Sequence, residues 1–216
     1  MMATKSVQSM IEREQPPFCA VDALTLTEPW ASLLVTGQKT VETRSWGVTL
    51  DGPRPVLITA SKGMTSDDRG FAADEDFCAA FLRAGIDPFS GKLDPIDGAA
   101  DELSRDVAST PVVRLFRETR GRAIGMGILT KCVEMTVKNE WAIIGDLAPG
   151  EYAFGNYGAG RWCWYFTALE RFAQPFAVRG HLGLWDYGAA SSQIHEYLQK
   201  HGFDRFGRRV ADPVAP

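Results

Sequence analysis

Residues 24–46 read LTLTEPWASLLVTGQKTVETRSW, and the spacing of their apolar residues predicts a strand, a short helix and a second strand. Over 23–27 apolar residues alternate with hydroxyl residues, as they do in a strand with one buried face. Over 28–36 apolar residues recur at helical spacing, and a glycine, the residue that most often ends a helix, follows. Residues 40–46 are rich in β-forming types and predict the second strand.

The rest of the chain has the features of further strands, an insertion and a terminal helix. Residues 63–120 begin with a phenylalanine-rich stretch that predicts a helix, and the turn-rich stretch after it predicts an insertion between strands. Ser191 is a good N-cap and Gly202 a good terminator, so a C-terminal helix is predicted between them. Additional strands are predicted over 55–61, 122–137, 161–169, 172–178 and 181–185. The pattern indicates an α+β fold in which short strands form a small β-barrel with flanking helices.

The composition limits the classes of protein to be considered. The chain has 216 residues, of which 45% are hydrophobic, and this length fits one domain with additions. The formal net charge is −4, so the chain as a whole does not attract a phosphate backbone and any contact with a nucleic acid must be local. The first residues lack the pattern of a signal peptide, and no run of eighteen apolar residues occurs, which predicts a cytoplasmic protein.

The cysteines and histidines do not have the spacing of a metal site. The four cysteines are far apart in the sequence and include no C-x-x-C pair, which argues against a zinc ribbon and against a disulfide scaffold. The three histidines also lack the close spacing that metal ligands show. We therefore predict reduced thiols, no structural metal and no cofactor.

A group of charged residues follows the predicted helix, in the order Lys39, Glu42 and Arg44. Because side chains alternate along a strand, Glu42 and Arg44 project to one face, and Lys39 at the preceding turn can reach the same edge. Arg and Lys can bind phosphate, while Glu can orient the Arg or accept a hydrogen bond from a base. The same three residues could instead form a surface ion pair without function, which contributes about 0–1 kcal/mol.

Four further residues bear on such a ligand site. Trp46 ends its strand, where it could stack on a base or cover the rim of the barrel. Lys62 ends a predicted strand and Arg161 begins another, so each could add positive charge. Trp30 lies on the apolar face of the helix and is expected in the core rather than against a ligand. The candidate ligand-binding residues are Lys39, Glu42, Arg44, Trp46, Lys62 and Arg161.

Taken together, these stretches resemble the ASCH domain family. The order LTLTEPWASL followed by GQKTVETRSW resembles the family's strand, Pro-Trp-Ala helix and G-x-K-x-x-E-x-R strand. Later stretches of the chain also resemble segments of the family. They are ITASK at 58–62, the glycine-rich stretch 121–132, FGNY at 154–157, GRWCW at 160–164 and the stretch 180–185. The resemblance implies a PUA-like β-barrel with a cleft beside the G-x-K-x-x-E-x-R segment, in a family regarded as binding RNA or acting on modified nucleosides.

The resemblance also implies a domain organisation and a partner. The chain is expected to comprise an N-terminal arm at 1–22, an ASCH domain at 23–187 with an insertion at about 63–120, and a C-terminal helix and tail at 188–216. The expected partner is RNA, a nucleotide or a nucleoside. A membrane is not an expected partner, because no candidate span occurs in the sequence.

Two alternatives to ligand binding stay open. Some compact relatives hydrolyse acetylated cytidine with a G-x-K-T-x-T-x-R version of the motif, but Glu42 replaces the second Thr here and cannot act as a hydroxyl nucleophile. A different hydrolysis, with Glu42 as general base and Lys39 stabilising an oxyanion, would make these two residues catalytic. Alternatively, the insertion or the C-terminal helix could dock a protein partner through an exposed apolar patch. Whether the protein is an enzyme is therefore open at this point.

Overall fold

Strands predominate in the computed structural model, which describes residues 16–63, 65, 70, 74–85 and 116–210. The strands are β1 (Phe18–Leu26), β2 (Val41–Arg44), β3 (Arg54–Ala60), β4 (Arg122–Glu134), β5 (Trp162–Ala177) and β6 (Leu184–Ala190). The helices are α1 (Trp30–Val35), α2 (Glu75–Arg83), α3 (Glu140–Gly145) and α4 (Ser192–Lys200), with a 3-10 helix at Glu151–Phe154 and a helical turn at 116–119.

The six strands form one mixed sheet in the order β2-β5-β4-β3-β1-β6. β1 and β3 run parallel, and every other neighbouring pair is antiparallel. This arrangement confirms the α+β class. β2 and β6 lie at the two edges and, within the described ranges, do not pair with each other, so the sheet is open and the predicted closure into a barrel stays a prediction.

Alternating side chains give this sheet two buried faces. On one face, residues such as Val21 and Ala23 pack against α4. On the other face, the intervening residues Leu24 and Leu26 pack against α1. Successive side chains of a strand point to opposite sides, so α1 and α4 cover opposite faces of the sheet.

Several predicted strands have different boundaries in the structure. β1 begins at Phe18, five residues before the predicted start, because its first half pairs with β6. The predicted strands 161–169 and 172–178 are one continuous β5, which is kinked where its register against β4 shifts. At this kink Ala168 has a φ of 47°, and its carbonyl accepts a hydrogen bond of 2.7 Å from the Tyr197 hydroxyl of α4. The prediction missed this link because the two residues are distant in sequence.

The local signals at the ends of α4 are confirmed. The Ser191 side chain accepts a hydrogen bond from the Ile194 amide at 3.3 Å, as an N-cap does. Gly202 follows the helix with a φ of 74°, which a residue with a side chain rarely adopts. Ile194, Tyr197 and Leu198 are buried against the sheet, as their spacing predicts.

The first part of the predicted insertion packs on the outer side of α1. Phe77 and Phe81 of α2 are buried together with Leu33, Phe116 and Phe154. This confirms a helix in the phenylalanine-rich stretch. Residues 86–115 lie outside the described part of the chain, as do most of the predicted arm and the last six residues. None of the helices that the structure describes is long and apolar enough to cross a membrane.

Candidate functional site

A large cleft opens at one end of the central strands. Three main-chain hydrogen bonds bring these strand ends together: Ser61 N donates to Leu26 O, Gly121 N to Ala60 O and Val178 N to Gly121 O. The segments that follow β1 and β3, precede β4 and follow β5 therefore share one edge. The cleft between them has a volume of about 1430 Å³, which is ample for a nucleotide.

The opposite wall of the cleft comes from β2 and from two loops. β2 contributes Glu42, Thr43 and Arg44, and residues 153–156 comprise the end of the 3-10 helix and the two residues after it. The loop 180–183 between β5 and β6 completes the wall. The second half of the G-x-K-x-x-E-x-R segment, which forms β2, thus borders the cleft.

The charges that line the cleft are mostly positive. Glu42 is the one carboxylate among the lining residues that the structure describes. Five basic residues also line the cleft, namely Arg44, Lys62, Arg120, Arg161 and Arg179. Since the whole chain carries a formal net charge of −4, the positive charge is concentrated locally.

Two of these arginines are held in place by the protein. Arg44 donates from Nη2 to Thr25 O at 3.1 Å, and its Nε lies 3.1 Å from Glu42 Oε1. Arg161 donates from Nη2 to Thr43 O at 3.0 Å. Both side chains are half-buried, so they present their remaining N–H groups in fixed directions, which favours bidentate binding of a phosphate or carboxylate.

The other three basic side chains are free to bind. Lys62, Arg120 and Arg179 make no side-chain hydrogen bond or ion pair with any residue in the described part of the chain. They stand at the ends of three neighbouring strands, because Ala60 pairs with Arg122 and Arg122 pairs with Ala177. This row of cations suits a ligand with more than one negative charge.

Lys39 is buried beneath the cleft and does not line it. Its Nζ donates to Val41 O at 2.7 Å and to Phe154 O at 2.8 Å, and it lies 3.4 Å from Glu42 Oε2. These three partners use all three N–H groups of the ammonium. Burial lowers the pKa of Lys39, although Glu42 opposes this shift by favouring the charged form. Lys39 therefore ties β2 to the 3-10 helix and holds Glu42 at the cleft.

Glu151 of the 3-10 helix fixes the entry to β2. Its carboxylate is buried and accepts hydrogen bonds from the Val41 amide at 2.6 Å and from the Thr40 hydroxyl at 2.9 Å. The 3-10 helix is thus held against β2 by two charged groups, the Glu151 carboxylate and the Lys39 ammonium. No sequence pattern indicates this, since Glu151 is more than a hundred residues from its partners.

The tryptophans differ from one another in position. Trp46 packs edge-on against Trp164, with ring centroids 4.7 Å apart, and it does not line the cleft. Of its two predicted roles, this placement corresponds to covering the edge of the core. Trp30 is half-buried, contacts Phe77 edge-on and also lines the cleft, so it belongs both to the core and to the cleft wall.

The structure thus brings together four of the six predicted ligand-binding residues, which are Glu42, Arg44, Lys62 and Arg161. Sequence analysis missed Arg120 and Arg179, which stand in turns next to predicted strands. The sequence does show a basic residue immediately beside the end of each of these two strands. This pattern indicates a shared site only once the strands are known to be neighbours in the sheet.

Glu28 is a buried carboxylate close behind the cleft. It accepts hydrogen bonds from the Ser32 amide and hydroxyl at 3.0 Å, and from the Thr119 hydroxyl. Burial raises the pKa of Glu28, although these hydrogen bonds and the charge of Arg171 act in the opposite direction. The carboxylate links the start of α1 to the segment that leads to the cleft residue Arg120.

Metal ligation is a separate question. Among the residues that the structure describes, no three His, Cys, Asp or Glu side chains are grouped so that they could hold a metal ion. No disulfide joins any two of the four cysteines, all of which lie in the described ranges.

Comparison with known proteins identifies a family. The model of the ASCH domain matches residues 24–176. No curated protein matches the chain. The crystal structure of ASCH from Zymomonas mobilis has a TM-score of 0.37 and 13% identity, over 81% of this chain and 76% of that chain. A point mutant of the same bacterial protein has a TM-score of 0.39 and 12% identity, over 83% of this chain and 94% of that chain. TM-scores this low carry no conclusion about function.

Proposed function

The chain belongs to the ASCH domain family, and we propose that it binds RNA or a nucleotide in the cleft at the ends of its central strands. The observation that carries this proposal is the local charge. Within the described ranges, five basic side chains and a single carboxylate line the cleft of a chain whose formal net charge is −4. An acidic protein with a basic cleft is suited to an anionic ligand of limited size.

The fixed and the free cations have different parts in this proposal. Arg44 and Arg161, which are held by main-chain carbonyls, orient a phosphate by paired hydrogen bonds. Glu42 lies beside Arg44 and accepts a hydrogen bond from a base amino group or from a ribose hydroxyl. Lys62, Arg120 and Arg179 neutralise further phosphates along the rim. This combination favours a nucleotide over inorganic phosphate.

Hydrophobic groups in the cleft add a surface for a base. Trp30 forms part of the wall, and the loop 180–183 presents Leu182, whose side chain is 99% exposed. The ring of His181 packs against Trp185 at a centroid distance of 4.9 Å, which holds the loop in position. Bases stack on such surfaces with a contribution of about 1–3 kcal/mol each.

The proposal is tested by binding measurements on a variant that does not disturb the core. Lys62→Gln with Arg179→Gln removes two exposed charges, and exposed changes of this kind alter stability by about 0.5 kcal/mol or less. The matched control is Lys131→Gln with Lys138→Gln, which removes the same charge from exposed positions outside the cleft. Titration calorimetry with nucleoside triphosphates and a trinucleotide, at low salt, measures the affinity of each protein.

We expect the cleft variant to bind at least about tenfold more weakly than the wild type, since charge-assisted hydrogen bonds contribute about 1.5–3 kcal/mol each. The control should bind as the wild type does. Equal affinity of all three proteins, or no binding to any of these ligands by the wild type, would refute the proposal.

One observation favours hydrolysis of a modified nucleoside as a second candidate function. Lys39 and Glu42 form a buried pair at 3.4 Å and burial lowers the pKa of Lys39, as at many catalytic sites. Against it, all three N–H groups of Lys39 have protein partners and Lys39 does not line the cleft. Incubation with acetylated cytidine and chromatography of the products decides: turnover that Glu42→Gln abolishes, while circular dichroism shows that the variant remains folded, would establish the hydrolase.

The proposal also includes the barrel and the domain boundaries that the family resemblance implies. We infer that the open sheet is the described part of a PUA-like barrel and that residues 23–187 form the ASCH domain. An experimental structure that includes residues 86–115 would test both. A protein partner bound through the insertion or α4 is a further possibility, and the exposed Leu82 of α2 is the apolar residue it would use.

A further inference from the structure

A second group of arginines lies at the other end of the sheet from the cleft. We call residues 201–210, which follow α4, the arginine loop. It contains Arg205, Arg208 and Arg209 but only one carboxylate, Asp204, so its formal charge is +2. The loop lies beyond residues 24–176, which match the family model, and it takes no part in the cleft.

The arginine loop is a built element rather than a loose tail. Phe203 is buried in the core and pairs with Arg209 across the loop. The Asp204 carboxylate accepts hydrogen bonds from the amides of Phe206 and Arg208 at 2.9 and 3.0 Å. The carbonyl of Arg205 accepts a hydrogen bond of 2.9 Å from the Ala20 amide of β1. The positions of the arginines are therefore fixed relative to the sheet.

The arginine loop surrounds an exposed aromatic ring with guanidinium groups. The Phe206 side chain is 44% exposed. The guanidinium carbons of Arg205 and Arg208 lie 4.9 and 5.1 Å from the centre of its ring. The side chain of Arg205 makes no hydrogen bond within the described ranges, and Arg208 keeps free N–H groups beside its pair with Asp204. Flat surfaces next to free phosphate-binding donors are the features to which single-stranded RNA binds.

We propose that the arginine loop is a second RNA-contact surface, which binds the phosphates and one base of a single strand whose other part occupies the cleft. This inference rests on the proposed function of the cleft. An acidic peptide would use the arginines but would leave the exposed Phe206 without a partner that stacks. A nucleic acid uses both features.

The strand β1 sets the distance between the two surfaces. Ala20 contacts the arginine loop, whereas Leu26 lines the cleft. Six residues of a strand span about 20 Å. At about 3.4 Å per stacked nucleotide, this distance corresponds to about six nucleotides. A trinucleotide can therefore contact one surface only, whereas a strand of twelve nucleotides can contact both.

The test compares the affinities of the full-length protein for single-stranded RNAs of three and twelve nucleotides, by fluorescence anisotropy at several salt concentrations. The variant is Arg205→Gln with Arg208→Gln, and the control is Lys131→Gln with Lys138→Gln. We expect the variant to bind the twelve-nucleotide RNA about tenfold more weakly, while its affinity for the trinucleotide stays the same. The slope of log affinity against log salt should fall by about 1.4, because each phosphate contact with a single strand contributes about 0.7.

Phe206→Leu separates stacking from charge. It should weaken binding of the twelve-nucleotide RNA but not of a twelve-unit abasic phosphate backbone, which has no bases to stack. Equal weakening of both probes would overturn the stacking role of Phe206.

The remaining outcomes distinguish this inference from the proposed function. If the trinucleotide binds but the longer RNA gains nothing, or if the arginine variant binds both RNAs as the wild type does, the second surface is refuted and the cleft stands. If the arginine variant weakens both RNAs equally, the trinucleotide binds at the arginine loop, and a single strand that joins the two surfaces is refuted. If neither RNA binds the wild type, the second surface is refuted, and the calorimetry with nucleotides alone decides the function of the cleft. Binding to vesicles with acidic phospholipids, without binding to the twelve-nucleotide RNA, would overturn the assignment to RNA in favour of a membrane surface.

Discussion

At the scale of single residues, Glu42 has two positive partners with different surroundings. One is the buried ammonium of Lys39, and the other is the guanidinium of Arg44, which lines the cleft. A charge without a partner in the interior is far less stable than the same charge at the surface. Glu42 therefore supports the fold through Lys39 and the site through Arg44.

Glu42→Gln should lower the free energy of unfolding by about 3 kcal/mol, because it removes the carboxylate that lies 3.4 Å from the buried Lys39 ammonium and leaves Glu151 as its remaining counter-charge. Urea unfolding of the wild type, the single variants and Lys39→Met with Glu42→Gln completes a double-mutant cycle. The double variant should be more stable than the sum of the single losses predicts. Strict additivity would show that the two residues do not interact.

Glu28 should make the folded protein less stable as the pH rises. A carboxylate whose pKa is lowered on folding has the opposite effect. Because burial raises the pKa of Glu28 in the folded protein, the stability from its neutral form is fully present below pH 4.5, its ordinary pKa, and is lost as the pH rises through the higher folded value. Relative to Glu28→Gln, the wild type should lose about 1.4 kcal/mol per pH unit between these two pKa values. Urea unfolding between about pH 4 and pH 8 measures this.

The matched control for Glu28 is Glu118→Gln. Glu118 is exposed and lies beside Thr119, the residue whose hydroxyl donates to Glu28. A stability difference between the wild type and Glu28→Gln that does not change with pH would contradict a raised pKa.

At the scale of the elements, β4 approaches its neighbours most closely at Gly125. A Cβ atom at this position would lie 2.3 Å from the carbonyl oxygen of Glu170 in β5 and 2.8 Å from Val35 of α1. The glycine permits both the irregular pairing of β4 with β5 and the contact of α1 with the sheet.

Gly125→Ala should lower the free energy of unfolding by about 3 kcal/mol, because the main chain of β5 must move to admit the methyl group. The control is Gly145→Ala at the end of α3, where an added Cβ would have no neighbour within 4 Å. It should be neutral or stabilising by up to about 1 kcal/mol. Similar melting temperatures for the two variants would contradict the close packing.

The end of α4 is attached to β5 by a carboxylate. Glu170 Oε1 lies 2.7 Å from Lys200 Nζ and 2.6 Å from His201 Nε2. Partial burial by itself would raise the pKa of Glu170, but the hydrogen bonds from Lys200 and His201 outweigh it and lower the pKa. The stability from this contact is therefore present above pH 4.5, the ordinary pKa, and is lost as the pH falls through the lower folded value.

Glu170→Gln should thus destabilise the protein slightly near pH 6, by at most about 1 kcal/mol, since the contact is partly exposed to solvent. The difference from the wild type should disappear at acid pH. Chemical unfolding at both pH values measures it, and a difference that grows as the pH falls would contradict the lowered pKa of Glu170.

Elements whose signals are local could be predicted from the sequence. The α4 helix is an example, because Ser191, Gly202 and the buried stripe between them lie within twelve residues. The early start of β1 and the continuity of β5 could not be predicted, because the first depends on pairing with β6 and the second on a kink bonded to Tyr197. Both are consequences of contacts between distant parts of the chain.

At the scale of the whole molecule, the candidate site could be predicted only where its signals are local in the sequence, and not where it depends on contacts between distant residues. Glu42 and Arg44 could be predicted to lie together because they are two residues apart on one short strand and therefore project to the same face. Lys39 could not be recognised as buried, since its partner Phe154 is 115 residues away. Arg120 and Arg179 could be assigned only after the order of the strands was known.

The separation of charge across the molecule predicts a strong effect of salt. The cleft and the arginine loop are positive, whereas the chain as a whole is negative, so RNA affinity should fall steeply as salt is added. Anisotropy titrations from about 50 to 200 mM salt should give a linear decrease of log affinity with log salt. An affinity that does not depend on salt would exclude binding through phosphates.

The packing of α2 against the turn at 116–119 has a consequence for the length of the chain between them. Phe81 and Phe116 are in edge-on contact, with ring centroids 5.8 Å apart, so the two ends of the intervening segment meet on the surface of α1. Once two ends are joined, each doubling of the connecting length costs only about 0.6 kcal/mol of chain entropy. The position between α2 and the turn at 116–119 should therefore accept shortened linkers or a grafted reporter domain, provided that Phe81 and Phe116 keep their contact.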